Sequence, residues 1–329
     1  MDHPFATYLR IIGRGPNLSR PLEADEAEAA MTMILTDRVE PAQLGAMFLV
    51  LRLRGETPAE LAGFVRAARQ ALPPGFDGLA DLDWPSYADR HKQLPYFVLA
   101  ALLLAESGVR VAMHGIAGAG PATTPAVLAA LGVALAANFD DAARALDADG
   151  FAYLPLDRIH PALDQLFMLR PVLGVRSPAN TFARDLNPLG AAAQIQGVFH
   201  PTYIPVHQEA VRLLGQSRAA IFKGGGGEAQ RNPEKRCRIG VVDDGTLREE
   251  TWPALTADAP HPWRDEDLDP AAVAALWRGH RTAPGPEAAI IGTAAIALRL
   301  LNPDLDQTAA LDRAGAMWRD RPMAKFGTA

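Results

Sequence analysis

The sequence predicts a small all-α N-terminal domain joined to a larger α/β domain with a central, mostly parallel sheet. Three observations carry that expectation. Apolar stripes at helical spacing, with capping signals, fill about the first seventy residues. Pro73, Pro74 and Gly75 then break the pattern. Beyond them, short apolar strand runs alternate with helical ones, the order that parallel layers require. The expected domains are therefore residues 1–75 and 76–329.

Phe5, Tyr8, Leu9 and Ile12 share one helical face, and the segment from Gly13 to Pro16 ends that helix. Pro21 is expected at the first position of a second helix, ahead of Glu23, Asp25 and Glu26, whose charges suit a helix N-terminus. Pro41 opens a third helix with Leu44, Met47, Phe48 and Leu51 facing inward. Thr57 and Glu60 form a capping box before a fourth. Past the break, 108–113, 191–199 and 218–222 read as strands, and 126–131 and 205–214 as helices. Asp244 and Gly245, between two apolar runs, predict a hairpin. Asp269 and Pro270 start a helix that Gly279 can stop, and 287–301 forms a longer one. The acidic run Asp265, Glu266, Asp267 and Asp269 is read as capping charge, and Asp140 and Asp141 as turn residues.

The bulk numbers exclude several classes. A chain of 329 residues with net charge −6 can bury a sizeable core and does not coat nucleic acid by total charge, although a local basic groove remains possible. Cys237 is the only cysteine, so no intrachain disulfide or cysteine metal cluster can form. The eight histidines are dispersed, and no metal site is expected from them. The run 97–105 is too short to span a bilayer and the N-terminus has no signal pattern, so a cytoplasmic protein without a membrane partner is expected.

The segment after the strand at 218–222 stands out. Lys223 is followed by Gly224, Gly225, Gly226 and Gly227, then Glu228, Arg231, Lys235, Arg236 and Arg238. Bare backbone N–H groups at a strand end can converge on an anion. From 218 to 238 there are six basic residues against Glu228 and Glu234, a local surplus of four positive charges in an acidic chain.

His160, Pro161 and Ala162, the run from Leu169 and Arg170 to Arg176, Asn180, and Leu186 to Gly190 closely resemble the central signature of the anthranilate phosphoribosyltransferase family. Val111 to Gly115 and Ala130 to Val133 extend the likeness over nearly the whole chain. The resemblance implies a nucleoside phosphorylase/phosphoribosyltransferase-like fold of glycosyl transferase family 3. It further implies that residues 160–185 return to the helical domain, that the active site lies in the cleft between domains, and that homodimers form through the helical domain.

The departures bear on one ligand. The family's Gly-Thr-Gly-Gly-Asp loop, which binds phosphoribosyl pyrophosphate, aligns with Pro85, Ser86, Tyr87, Ala88 and Asp89. Ser86 and Asp89 are plausible survivors, but Pro85 lacks an N–H and the Tyr87 ring competes for pyrophosphate space. The Lys-His-Gly-Asn motif appears as Met113, His114, Gly115 and Ile116. The magnesium-holding Asp-Glu pair becomes Gly227 and Glu228, and a lone carboxylate is a poor magnesium site.

This pattern looks like the YbiB-like paralogues, which implies a non-catalytic homodimer binding nucleic acid, preferably single-stranded, with little sequence preference and no cofactor. The expected phosphate-binding residues are Lys223, Gly224, Gly225, Gly226, Arg231, Lys235, Arg236, Arg170, Arg184, Arg90 and Lys92, with Tyr87 or Tyr96 as stacking platforms. The alternative is a divergent phosphoribosyltransferase acting on anthranilate or a related aromatic amine. Arg170 would then orient substrate, with Ser86, Asp89 and His114 at the substrate site and Glu228 on magnesium.

Overall fold

The computed structural model describes residues 2–15, 17–88, 92–256 and 261–326. Four helices come first: α1 (Ala6–Gly13), α2 (Ala24–Leu35), α3 (Pro41–Arg54) and α4 (Pro58–Arg69). Pro41 and Pro58 stand at first helical positions, and the Thr57–Glu60 capping box forms in both directions. Pro21 does not open α2. Glu23 caps it instead, in a reciprocal box with Glu26, so the proline lies outside the helix.

The α/β part follows in the order β1 (Leu82–Ser86), α5 (Phe97–Glu106), β2 (Val111–Gly115), α6 (Thr124–Ala130), α7 (Phe139–Asp149) and β3 (Phe151–Pro155). Short helices α8 (Leu156–Ile159), α9 (Pro161–Phe167), α10 (Arg170–Leu173) and α11 (Ala179–Phe182) lead to β4 (Ala193–Val198). Then come α12 (Ile204–Leu213), β5 (Arg218–Lys223), the hairpin β6 (Cys237–Asp243) and β7 (Thr246–Trp252), and helices α13 (Pro270–Trp277), α14 (Pro284–Leu301) and α15 (Gln307–Asp320). Asp140 and Asp141 lie in the first turn of α7, where Asn138 accepts from the Asp141 N–H, and not in a turn between elements.

The seven strands form one sheet in the order β3-β2-β1-β4-β5-β6-β7. The first five are parallel, and β6 and β7 add an antiparallel hairpin. Alternation along the strands divides the core. Leu82, Trp84, Val111, Met113, Phe151 and Tyr153 face the cluster that includes α5 and α14, while Ala112, Ala152 and Leu154 face the N-terminal helices. α5 is buried on nearly every side between sheet and α14, which explains its continuous apolar run. The segment after β3 reaches the N-terminal helices: Phe182 packs on Phe64 at 5.5 Å, and His160 Nε2 donates to the Ala68 carbonyl at 3.2 Å. No helix of the described residues is long and apolar enough to cross a membrane.

The topology fixes where a ligand can sit. Crossovers run from β1 to β2 on one side and towards β4 on the other, so the order reverses between β1 and β4. In open α/β sheets the crevice beyond the carboxyl ends of such strands is the usual binding position.

Candidate functional site

At the switch point, the crevice is filled by the chain itself. Tyr87, one residue past β1, is 1% exposed, and its hydroxyl lies 2.7 Å from His114 Nδ1. His114 Nε2 faces Asp83 Oδ2 at 3.4 Å, so a proton on Nε2 lets Nδ1 accept the Tyr87 hydroxyl and serves both bonds. Burial, with Tyr153 and Asp83 close by, pushes the Tyr87 phenol well above its ordinary range and keeps it a neutral donor. The chain of bonds continues across the sheet. Gln194 Nε2 donates to Asp83 Oδ2 at 2.6 Å, Gln196 Nε2 donates to Gln194 Oε1 and Asp185 Oδ1, each at 2.6 Å, and Asp185 accepts from His207 at 3.0 Å. Asp83, His114, Gln194 and Gln196 sit on one face by strand alternation, which is why the network can run straight across β2, β1 and β4.

Glu228 closes the other half of the crevice. Its side chain is 1% exposed, and Oε1 accepts the backbone N–H of Ala88 at 2.5 Å. A carboxylate oxygen thus takes the backbone donor that a phosphate oxygen could use. Arg184 stands beneath the glycine loop and donates to the carbonyls of Gly197 at 3.0 Å and Gly227 at 2.8 Å. Burial lowers the Arg184 guanidinium while Glu228 acts in the opposite sense. A magnesium ion beside Glu228 does not fit this arrangement. One oxygen is committed to Ala88, the other is an orphan in a closed space, and the guanidinium already supplies the countercharge. Among the described residues no group of three or more His, Cys, Asp or Glu side chains could hold a metal ion.

Gly224, Gly225 and Gly226 border open space, but most of the loop's backbone donors are turned inward. Gly224 N–H donates to Val198 O, Gly225 to Gln230 O and Gly227 to Gly224 O, so these donors are spent within the fold. Glycine is needed at 224, where the neighbour is backbone, while at 225 the neighbour is a side-chain end that can shift. A Cβ at 224 would lie 1.6 Å from the Glu228 carbonyl oxygen, and one at 225 would lie 1.8 Å from Gln93 Nε2.

Open space lies to one side, over the ends of β4, β5 and β6, as a groove of about 1170 Å³. Lys92, Lys223, Lys235, Arg236 and Arg264 line it, and among the described residues none of these five makes an ion pair. Arg238 also borders the groove, but its guanidinium lies 3.3 Å from Glu249. Among the described residues, Glu234 and Asp265 are the only acidic ones on the lining.

Several expected contacts belong elsewhere. Arg231 is 0% exposed. It borders the groove from below: its backbone N–H bonds Thr293, its guanidinium donates to Pro253 O and stands 5.4 Å from the Trp252 ring centroid, so it is a buried floor residue that cannot reach a ligand without movement. Arg184 is committed to the loop carbonyls, as above. Arg170 is exposed on α10 and is not on the groove lining. Ser86 is buried with its hydroxyl 2.9 Å from Thr124 Oγ1, and His114 is enclosed, so neither faces open space. Arg90 and Asp89 lie outside the described residues. Neither expected stacking residue is accessible: Tyr87 is in the core, and Tyr96 is buried with its hydroxyl donated to Glu266. Cys237 is buried, with its thiol pushed up to about 11, and so is a strand-packing residue.

Phe199 and Trp263 also line the groove, and no motif in the sequence marks either of them. Trp263 lies beside the acidic run expected to supply capping charge. Of that run only Asp269 caps a helix, through the Ala271 N–H, whereas Glu266 holds Tyr96 and His261.

Residues 6–72 match the glycosyl transferase family, helical bundle domain, and residues 97–257 match the glycosyl transferase family, a/b domain. The chain belongs to this family, glycosyl transferase family 3. Two anthranilate phosphoribosyltransferases illustrate its relatives. The protein of Haloarcula marismortui is 32% identical over 67% of this chain, and that of Anaeromyxobacter sp. is 35% identical over 61%. The matched region spans 66% and 60% of those two proteins, just under two thirds of their length. Uncharacterized protein YbiB of Escherichia coli K12 is 29% identical over 74% of this chain and 78% of its own. Among solved structures, anthranilate phosphoribosyltransferase from Thermus thermophilus superposes with a TM-score of 0.80 at 27% identity, covering 91% of this chain and 92% of that one. The family 3 architecture, a helical domain with an α/β domain on a mostly parallel sheet, is therefore the architecture of this chain.

Proposed function

We propose that this chain binds single-stranded nucleic acid with little sequence preference, laying the phosphate backbone along the groove over β4, β5 and β6. The observation that carries this reading is the set of five cations, Lys92, Lys223, Lys235, Arg236 and Arg264, without an ion pair among the described residues, on an open groove beside a closed switch-point crevice. Cations left without carboxylates in an acidic protein concentrate positive potential where a polyanion can release its counterions. No catalytic residue is assigned in this reading. Binding of an oligonucleotide, followed by fluorescence anisotropy, should weaken steeply with salt. Replacing Lys223, Lys235 and Arg236 together by alanine should flatten the log–log slope by about two units, at roughly 0.7 per lost phosphate contact. Salt-independent binding, or none at low salt, would overturn it.

The relatives' names favour a second reading over nucleic-acid binding. Anthranilate phosphoribosyltransferases recur among them, and none of those reported above is named for nucleic acid. In that reading the chain transfers phosphoribose from phosphoribosyl pyrophosphate to anthranilate or a related amine, with Arg170 orienting the acceptor. Against it stand the Tyr87 ring and the Glu228 carboxylate in the crevice. Calorimetry with phosphoribosyl pyrophosphate and magnesium separates the two, since saturable heat would establish the transferase reading and displace the first.

A further inference from the structure

The rim of the basic groove carries two aromatic rings, one largely in water and one held by its neighbours. Phe199, the residue after β4, is 55% exposed beside the glycine loop, where a Cβ at Gly227 would lie 3.4 Å from the Phe199 Cβ. His200 meets its ring edge-on at 4.8 Å and 78°. The Phe199 ring is thus left largely in water at the mouth of a charged groove. Trp263 is held more firmly. Its indole N–H donates to Glu234 Oε1 at 2.8 Å, His261 stands at 4.5 Å and 65°, and Tyr96 at 6.4 Å and 75°. Glu266 in turn ties down both His261, at 3.1 Å, and Tyr96. The Trp263 ring therefore has its orientation set before any ligand arrives, and little side-chain freedom is lost on contact.

We infer that Phe199 and Trp263 are nucleobase-stacking platforms, so that the groove selects single strands by offering ring faces to unpaired bases while its lysines and arginines hold the phosphates. This rests on the nucleic-acid reading above and adds the element that charge alone lacks. Phosphate contacts do not distinguish a duplex from a single strand of the same charge, whereas a stacking face needs a base whose own face is free. Every base has such a face, so stacking gives strand selectivity without sequence selectivity.

The protein contains a built-in reporter. Of its five tryptophans, Trp84, Trp252, Trp277 and Trp318 are buried, leaving Trp263 as the one at the groove. Titrating the full chain with oligothymidylate should quench tryptophan fluorescence. An abasic oligomer of equal length should bind with the same salt slope but leave the fluorescence unchanged, and Trp263→Phe should abolish the quench. Phe199→Ala should weaken oligothymidylate binding by about 5- to 150-fold, the effect of losing one base–aromatic stack. It should leave abasic binding untouched, and Phe199→Trp should retain the affinity. If oligothymidylate and the abasic oligomer bind equally and Phe199→Ala changes neither, the stacking inference falls while the phosphate-binding reading stands. If neither oligomer binds, both fall.

Discussion

Glu56 lies in the turn between α3 and α4, half-buried, with Arg52, His207, Glu60 and Tyr203 around it. Burial raises its carboxyl above the ordinary 4.5, with Arg52 and His207 opposing that shift and Glu60 adding to it. The folded state then keeps this proton to a higher pH than the unfolded chain does. Its contribution to stability is complete below the unfolded value and is lost as pH rises through the folded one. Glu56→Gln, which fixes the neutral form, should raise the melting temperature near pH 7.5 and leave it nearly unchanged near pH 4. Equal shifts at both pH values, followed by circular dichroism, would refute this. Depth, which decides this case, is also what a sequence conceals. Lys223, Lys235 and Arg236 are legible as exposed cation because charge prefers water. Arg231 and Arg184 look the same in sequence but serve the interior, one packed near Trp252 and one bonding the loop carbonyls.

Elements with local chemistry are readable from sequence, and those defined by their neighbours are not. The β6–β7 hairpin follows from Asp244 and Gly245, which take φ of 43° and 82°, the paired positive values of a type I′ turn. Gly245→Ala should therefore destabilise by roughly 1–2 kcal/mol through left-handed strain, measurable by urea denaturation. A cost near zero would mean that the turn relaxes. β1 and β3, by contrast, are five-residue strands buried on both faces: β3 has no alternation to reveal it, and the Asp83, Pro85 and Ser86 of β1 do not read as a buried strand. Their identity comes from pairing with β2 on either side. The glycine loop does stand at the end of β5, where its sequence puts it, but three of its N–H groups bond within the fold. Sequence shows that side chains are absent, but only the structure shows that Gln93 and the Glu228 backbone fill the room they leave.

At the level of the whole molecule, several large apolar side chains near the helical domain stand in water. Leu53 on α3 is 91% exposed and Val172 on α10 is 81% exposed, with Leu49 and Met168 also in water. We propose that these residues serve self-association through the helical domain. Leu53→Asp with Val172→Asp should shift a dimer to a monomer in analytical ultracentrifugation without changing circular dichroism. A wild-type monomer, or a dimer indifferent to both changes, would place any interface elsewhere. The switch-point crevice holds a different lesson. Opening it by a glycine at 87 would strip His114 Nδ1 of its partner inside a bonded series reaching His207, and removing Glu228 would orphan the Ala88 N–H and leave Arg184 with Asp185 but without its larger counter-charge. Each step back toward an empty pocket loses stability before any ligand could restore it. The interior therefore works as a ratchet: a vacant crevice lies several coordinated substitutions away from this sequence, and single changes lead first to a weaker fold.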